Sequence, residues 1–278
     1  MTNPTCNIGS VPFGQGRLAL IAGPCLAESL ELCLSVAAEM DQLCRRLKIG
    51  YVFKASFDKA NRSSVSSHRG PGLERGLEWL ATVRRQVKVP ILSDVHETSQ
   101  VPPAAEVLDC IQIPAFLSRQ TDLLVAAGKA GKPVNIKKGQ FMAPPEMKLA
   151  VEKVRSAGND KVLLTERGTS FGYNRLVVDM TGIPVMRAFA PVVFDATHSI
   201  QEPAALGAVS GGKPEFVPVL ACAALAAGAD ALFIETHPDP AKAKSDAATM
   251  IPLSQMEGLL RRCLAVYAAA HGGGGERV

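Results

Sequence analysis

Short runs of Val, Ile, Leu, Phe and Ala punctuate the chain: LALIAG from Leu18, YVFKAS from Tyr51, PILSDV from Pro90, CIQIP from Cys110, PVNIKK from Pro133, KVLLTE from Lys161, VVFDAT from Val192 and ALFIET from Ala231. They are continuous rather than alternating in polarity, as strands are when both faces of a parallel sheet are covered by crossover helices. Between them lie helix-like stretches at residues 29–48, 73–87 and 214–228, the last ending on the Gly expected just past a helix C-terminus. No Pro/Ser-rich linker divides the chain. These eight strand–helix alternations predict an α/β fold, a single-domain (β/α)8 TIM barrel over residues 18–270. A leader or barrel cap is expected at 1–17 and a flexible Gly-rich tail at 271–278. A doubly wound open sheet is the alternative architecture.

Each apolar run ends in polar or charged residues: Cys25, Lys54 and Ser56, Asp94 and His96, Gln112, Lys137 and Lys138, Glu166 and Arg167, Asp195 and His198, Glu235 and His237. In a closed parallel barrel every strand C-terminus opens onto one rim, where barrel active sites are built. The cations Lys54, Lys59, Arg62, Arg69, Lys137, Lys138 and Arg167 would gather there. One reading pairs them internally with Asp94, Glu166, Asp195 and Glu235. The other is that so many like charges at one mouth serve a multiply charged ligand carrying phosphate and carboxylate. The KANRSSVSSHRGPG segment from Lys59, with small residues, hydroxyls and cations, suits a phosphate, although a solvated loop has the same composition. No GxxxxGKS string and no GxGxxG after a strand is present, so nucleotide binding is unsupported.

Barrel closure also gives meaning to four scattered residues. Cys25 follows the first strand, His198 the seventh and Glu235 the eighth, and the eighth lies between the other two. Asp246, in the loop after the eighth, can fold back to join them. A mixed set of S, N, O and O donors suits a borderline divalent ion such as Zn, Fe, Mn or Co, whereas without the barrel the spacing would be coincidence.

Composition narrows the setting. The 278 residues are 47% hydrophobic and 20% charged, enough apolar content for a sizeable core. A net charge of only +4 and few aromatics (ten Phe, three Tyr, one Trp) argue against a nucleic-acid partner. Seven cysteines without a CxxC pair suggest a reducing compartment. No run approaches the roughly 20 apolar residues that cross a bilayer, so no membrane role and a cytoplasmic location are expected.

Several ordered strings resemble the 3-deoxy-D-manno-octulosonate 8-phosphate synthases: FKASFDKANRSS from Phe53, RGPGLE from Arg69, SDVHE from Ser93, IQIPAFLSRQTDLL from Ile111, NIKKGQF from Asn135, LTERGTSFGYNRLVVDM from Leu164, FDATHS from Phe194 and IETHPDPAKAKSD from Ile234. The resemblance runs from about Leu18 to Leu260. It implies a (β/α)8 barrel assembled as a homotetramer. It also implies condensation of phosphoenolpyruvate with D-arabinose 5-phosphate and water, releasing inorganic phosphate, for the Kdo of lipopolysaccharide. Lys54, Lys137, Arg167 and Gln112 would then hold phosphoenolpyruvate with Lys59 nearby. Asn61, Arg62 and Ser63 would hold the sugar phosphate, and Arg119 would reach a neighbouring subunit's site. Asp94, His96 and Glu235 are candidates for proton handling, and the expected catalytic set is Lys54, Asp94, His96 and His198.

The resemblance also speaks to the metal. Members that work without one carry Asn where this chain has Cys25, so Cys25, His198, Glu235 and Asp246 are expected to be ligands. The SGG segment is followed by Lys213 and Pro214, where an arginine is more usual, so anion contacts from that loop are in doubt. Two other functions remain open from sequence: the related synthase that uses erythrose 4-phosphate, whose loop usually reads KPRTS, and a non-catalytic barrel that binds phosphorylated sugars.

Overall fold

A computed structural model describes residues 4–62, 64–203 and 211–271. Eight parallel strands form its centre: β1 (Ala19–Gly23), β2 (Gly50–Lys54), β3 (Ile91–Asp94), β4 (Cys110–Ile113), β5 (Val134–Lys137), β6 (Val162–Glu166), β7 (Val192–Asp195) and β8 (Ala231–His237). Each pairs with the next, and β8 pairs with both β7 and β1, so the sheet closes. The open-sheet alternative is thereby excluded. Helices α1 (Leu30–Leu47), α2 (Leu73–Val87), α3 (Val101–Val107), α4 (Thr121–Lys129), α5 (Met147–Arg155), α6 (Gly182–Arg187), α7 (Val217–Ala226) and α8 (Met256–His271) follow the strands in turn.

The helix limits have local causes. Ser29 caps α1 by accepting from the Leu32 amide at 3.1 Å, and Lys48 ends it in the left-handed region at φ 57°. The expected helix over 214–228 starts later, because Pro214–Phe216 form a 3-10 turn before α7, and Gly228 leaves it at φ +99°.

The period of two along each strand separates two cores. One set of side chains, including Leu20, Phe53, Ile111, Ile136, Leu164, Phe194 and Ile234, packs outward against the helices. The other set fills the barrel: Ala19, Ile21, Val52, Leu92, Cys110, Leu163, Val193, Ala231 and Phe233. Strands Cys6–Ile8 and Val11–Phe13 form a hairpin whose Cys6, Ile8, Val11 and Phe13 join this inner cluster, so apolar packing closes the N-terminal end of the barrel. The tail at 272–278 lies outside the described residues.

Candidate active site

Two residues further along the inward face, the apolar layer gives way to charge. Val52 is followed by Lys54, Leu92 by Asp94, Cys110 by Gln112, Val193 by Asp195 and Phe233 by Glu235, all of them buried. Barrel closure therefore brings residues from distant parts of the chain onto the Phe233 ring. Lys137 Nζ lies 3.9 Å and Lys54 Nζ 5.5 Å from its centroid, a cation–π floor that softens the cost of burying the ammonium groups.

Lys54 donates to the Cys25 carbonyl at 3.0 Å and to Glu235 Oε1 at 3.2 Å, and stands 3.9 Å from Asp94 Oδ1. Asp94 accepts from Ser56 Oγ at 2.7 Å and lies 3.3 Å from His96 Nε2. Burial works against its charge, but Lys54, the His96 contact and Lys59 hold its carboxyl well below the usual carboxylate range. Burial also disfavours a charged Lys59, which Cys25, Glu235, Asp94 and Asp246 nevertheless push well above the ordinary lysine range.

Across the barrel, Asp195 is a hub that the strand pattern marks only as a counter-charge. Its Oδ2 is 2.7 Å from Lys137 Nζ and 2.8 Å from His198 Nδ1, while Oδ1 accepts from the His198 amide and from Thr197 Oγ1. The carboxylate thus fixes the turn carrying His198 through its amide and lies against the ring at Nδ1, leaving Nε2 to face Asp246 and Glu235. That nitrogen lies 3.6 Å from Asp246 Oδ2 and 3.8 Å from Glu235 Oε2. Cys25 Sγ is 3.1 Å from Asp246 Oδ2 and 3.2 Å from Ser245 Oγ, and one donor atom each of Cys25, Glu235 and Asp246 fall within 4.8 Å of one another.

Donors held 2.0–2.3 Å from one tetrahedral ion are separated by roughly 3.3–3.8 Å; Cys25, Glu235 and Asp246 come near that spacing, and His198 approaches the two carboxylates without joining the three as one group. Glu235 Oε2 is buried without a hydrogen-bond partner among the described residues, as an unused ligand atom would be. Burial, followed by Asp246 and Glu235, pushes the Cys25 thiol well up, so the thiolate needs an added positive charge.

Arg167, just beyond β6, is buried. Its Nη2 donates to Gln201 Oε1 at 3.1 Å, whereas Nη1 has no partner among the described residues. Gln112 accepts from Asn135 Nδ2 at 3.0 Å, and Asn135 in turn accepts from Thr165 Oγ1 at 2.7 Å, a polar chain crossing three strands.

Two expected rim cations go elsewhere. Lys138 is fully buried and donates to loop acceptors away from the Lys54 and Lys137 pair, because it follows Lys137 by one residue and leaves on the other side. Arg69 is half-exposed and paired with Asp58. Arg62 donates to the carbonyls of His68 and Lys244, which ties its loop to the one carrying Asp246, and Asn61 beside it is exposed. Ser63 lies outside the described residues. Arg119 is exposed on the connection from β4 to α4. Lys213 pairs with Glu202 at 3.0 Å.

Fold and site together define a barrel enzyme working at the carboxyl ends of its strands on small anions. By sequence the chain belongs to the DAHP synthetase I family, whose profile matches residues 5–266. Among its relatives, proteins named 2-dehydro-3-deoxyphosphooctonate aldolase are 57% identical in Desulfotalea psychrophila, over 95% of each chain, and 56% identical in Koribacter versatilis, over 94% of this chain and 95% of that one. A protein of the same name in Granulibacter bethesdensis is 55% identical over 92% of this chain and 91% of its own.

Proposed function

We propose that this protein condenses phosphoenolpyruvate with D-arabinose 5-phosphate and water to give 3-deoxy-D-manno-octulosonate 8-phosphate and inorganic phosphate. The relatives' name describes the same phosphorylated octonate skeleton. The observation that carries the reading is the buried triad Lys54, Lys137 and Arg167 on three strand ends, with Arg167 Nη1 unpartnered among the described residues, beside the grouped donors of Cys25, Glu235 and Asp246 and the adjacent His198.

Phosphoenolpyruvate would sit against Lys54, Lys137, Arg167 and Gln112, with Lys59 at the edge. Arg62, Asn61 and Ser63 would receive the sugar phosphate. C3 of the enol attacks the aldehyde carbon while water adds at C2, and the resulting hemiketal phosphate collapses by C–O cleavage. The lysines offset the charge of the bound anions and stabilise the developing oxyanion. Asp94, ionised beside Lys54 with Ser56 Oγ at 2.7 Å and His96 Nε2 at 3.3 Å, would orient His96 and Lys54 toward the reacting centre rather than carry a proton itself. Cys25, His198, Glu235 and Asp246 would hold a divalent ion of the Zn, Fe, Mn or Co type. Such an ion supplies Lewis acidity, which lowers the pKa of a bound water or polarises the aldehyde.

Assembly as a homotetramer, with Arg119 completing a neighbour's sugar-phosphate pocket, and a cytoplasmic location belong to the same reading. Among the described residues no helix is long and apolar enough to cross a membrane. The direct test is phosphate release from phosphoenolpyruvate with each aldose phosphate. Turnover with arabinose 5-phosphate well above that with erythrose 4-phosphate is expected, and no release with either, in the presence of Mn, Zn or Fe, rejects the proposal. The KANRSS string at Lys59, with Asn61 in it, favours the longer sugar.

A further inference from the structure

Lys138 is fully buried, yet no step above uses it. Its ammonium lies 2.9 Å from Thr169 Oγ1, 3.2 Å from the Gly168 carbonyl, 3.4 Å from the Met142 carbonyl, 3.5 Å from the Gly139 carbonyl and 3.5 Å from Glu166 Oε1. These acceptors lie at the end of β6 and on the two loops that leave β5 and β6. Glu166 Oε1 in turn accepts from the Arg167 amide at 2.9 Å and the Gly168 amide at 2.6 Å. Ammonium, carboxylate, two amides and the Gly168 carbonyl therefore form a closed ring around the one peptide segment that carries Arg167. Gly168 turns the chain there at φ +93°, a conformation that other residues rarely adopt.

A buried ion pair is a poor device for stability alone, since well-packed apolar residues often replace one at no loss. Its strength is directional: it specifies one loop geometry among several. We propose that Lys138 is a positioning residue, acting with Glu166 to clamp the turn that aims the Arg167 guanidinium into the anion site. The inference rests on the reading that Arg167 binds phosphoenolpyruvate.

The test measures phosphoenolpyruvate affinity by calorimetry and the KM of each substrate for Lys138→Met and Glu166→Gln, each alone and combined with Arg167→Ala. Misplacing a binding group by about an ångström costs up to roughly a hundredfold. The expected result is a ten- to hundredfold weaker phosphoenolpyruvate affinity, with the sugar-phosphate KM changed less than about threefold. In the Arg167→Ala background neither substitution should add a further loss, because both act through that guanidinium. Equal loss for both substrates, or a loss that persists undiminished without Arg167, overturns the clamp and marks Lys138 as merely structural. If Arg167→Ala itself leaves phosphoenolpyruvate affinity intact, the substrate assignment fails and the clamp with it. Should Lys138→Met not fold, Glu166→Gln carries the test, because its amide oxygen can still accept from the two backbone amides while the ion pair is lost.

Discussion

Lys54 and Lys137 are both buried in the barrel, and their ammonium groups are stabilised in different ways. Lys54 shares a carbonyl and two carboxylates, whereas Lys137 has a single short contact to Asp195 and the face of Phe233. Asp94 links the first of these to acid stability. Its carboxyl is held below the unfolded value of about 3.9, so its contribution is complete above about pH 4 and drains away as pH falls. Asp94→Asn should therefore flatten the fall of unfolding free energy below about pH 4, as measured by urea titration across that range. Cys25 offers the complementary probe. Cys25→Asn removes the thiolate and supplies the side chain that the metal-free branch carries at this position. Its turnover is expected to survive chelation while the parent's does not. Loss of activity in both under chelator, or in neither, would count against the ligand assignment.

The elements transmit these positions through close backbone contact. A Cβ added at Gly23, the last residue of β1, would sit 2.1 Å from the Lys54 carbonyl oxygen, so β1 and β2 approach this closely only because that position is glycine. Gly23→Ala should cost about 1–3 kcal/mol or more and lower activity together with stability, as thermal melts and assays will report. Phe13, in the N-terminal hairpin, is fully buried in the inner core. Phe13→Ala is expected to cost about 3–5 kcal/mol by denaturant unfolding while leaving the KM values of the folded fraction unchanged.

Much of this scale is legible in the amino-acid order. All eight barrel strands fall on the apolar runs, and strand order puts Cys25, His198 and Glu235 at the ends of adjacent strands. What the runs conceal is which side each terminal residue takes. Lys137 and Lys138 are adjacent in sequence, and only the inward parity shared by Val52 and Lys54, or by Val193 and Asp195, separates a site lysine from a loop lysine. Asp195 escapes for a related reason, since its role depends on two partners that only barrel closure supplies.

For the whole molecule, the decisive questions are the metal and the assembly. Chelation should abolish phosphate release and added divalent ions should restore it, with metal content followed alongside activity. Full activity in metal-free protein would contradict the donor set described here. Arg119 is exposed, as are Phe116 at 56% and Phe171 at 65%. If Arg119 completes a neighbour's pocket, Arg119→Ala should raise the sugar-phosphate KM about tenfold while phosphoenolpyruvate affinity holds and light scattering still reports a tetramer. A monomer with full activity would remove the need for a neighbour.

The hairpin beneath Phe233 has one more consequence. It lies against the apolar plug of the interior on the side away from the charged groups, so a bulky or polar side chain put there would press on the plug from below and be felt first by Phe233 and the ammonium groups resting on it.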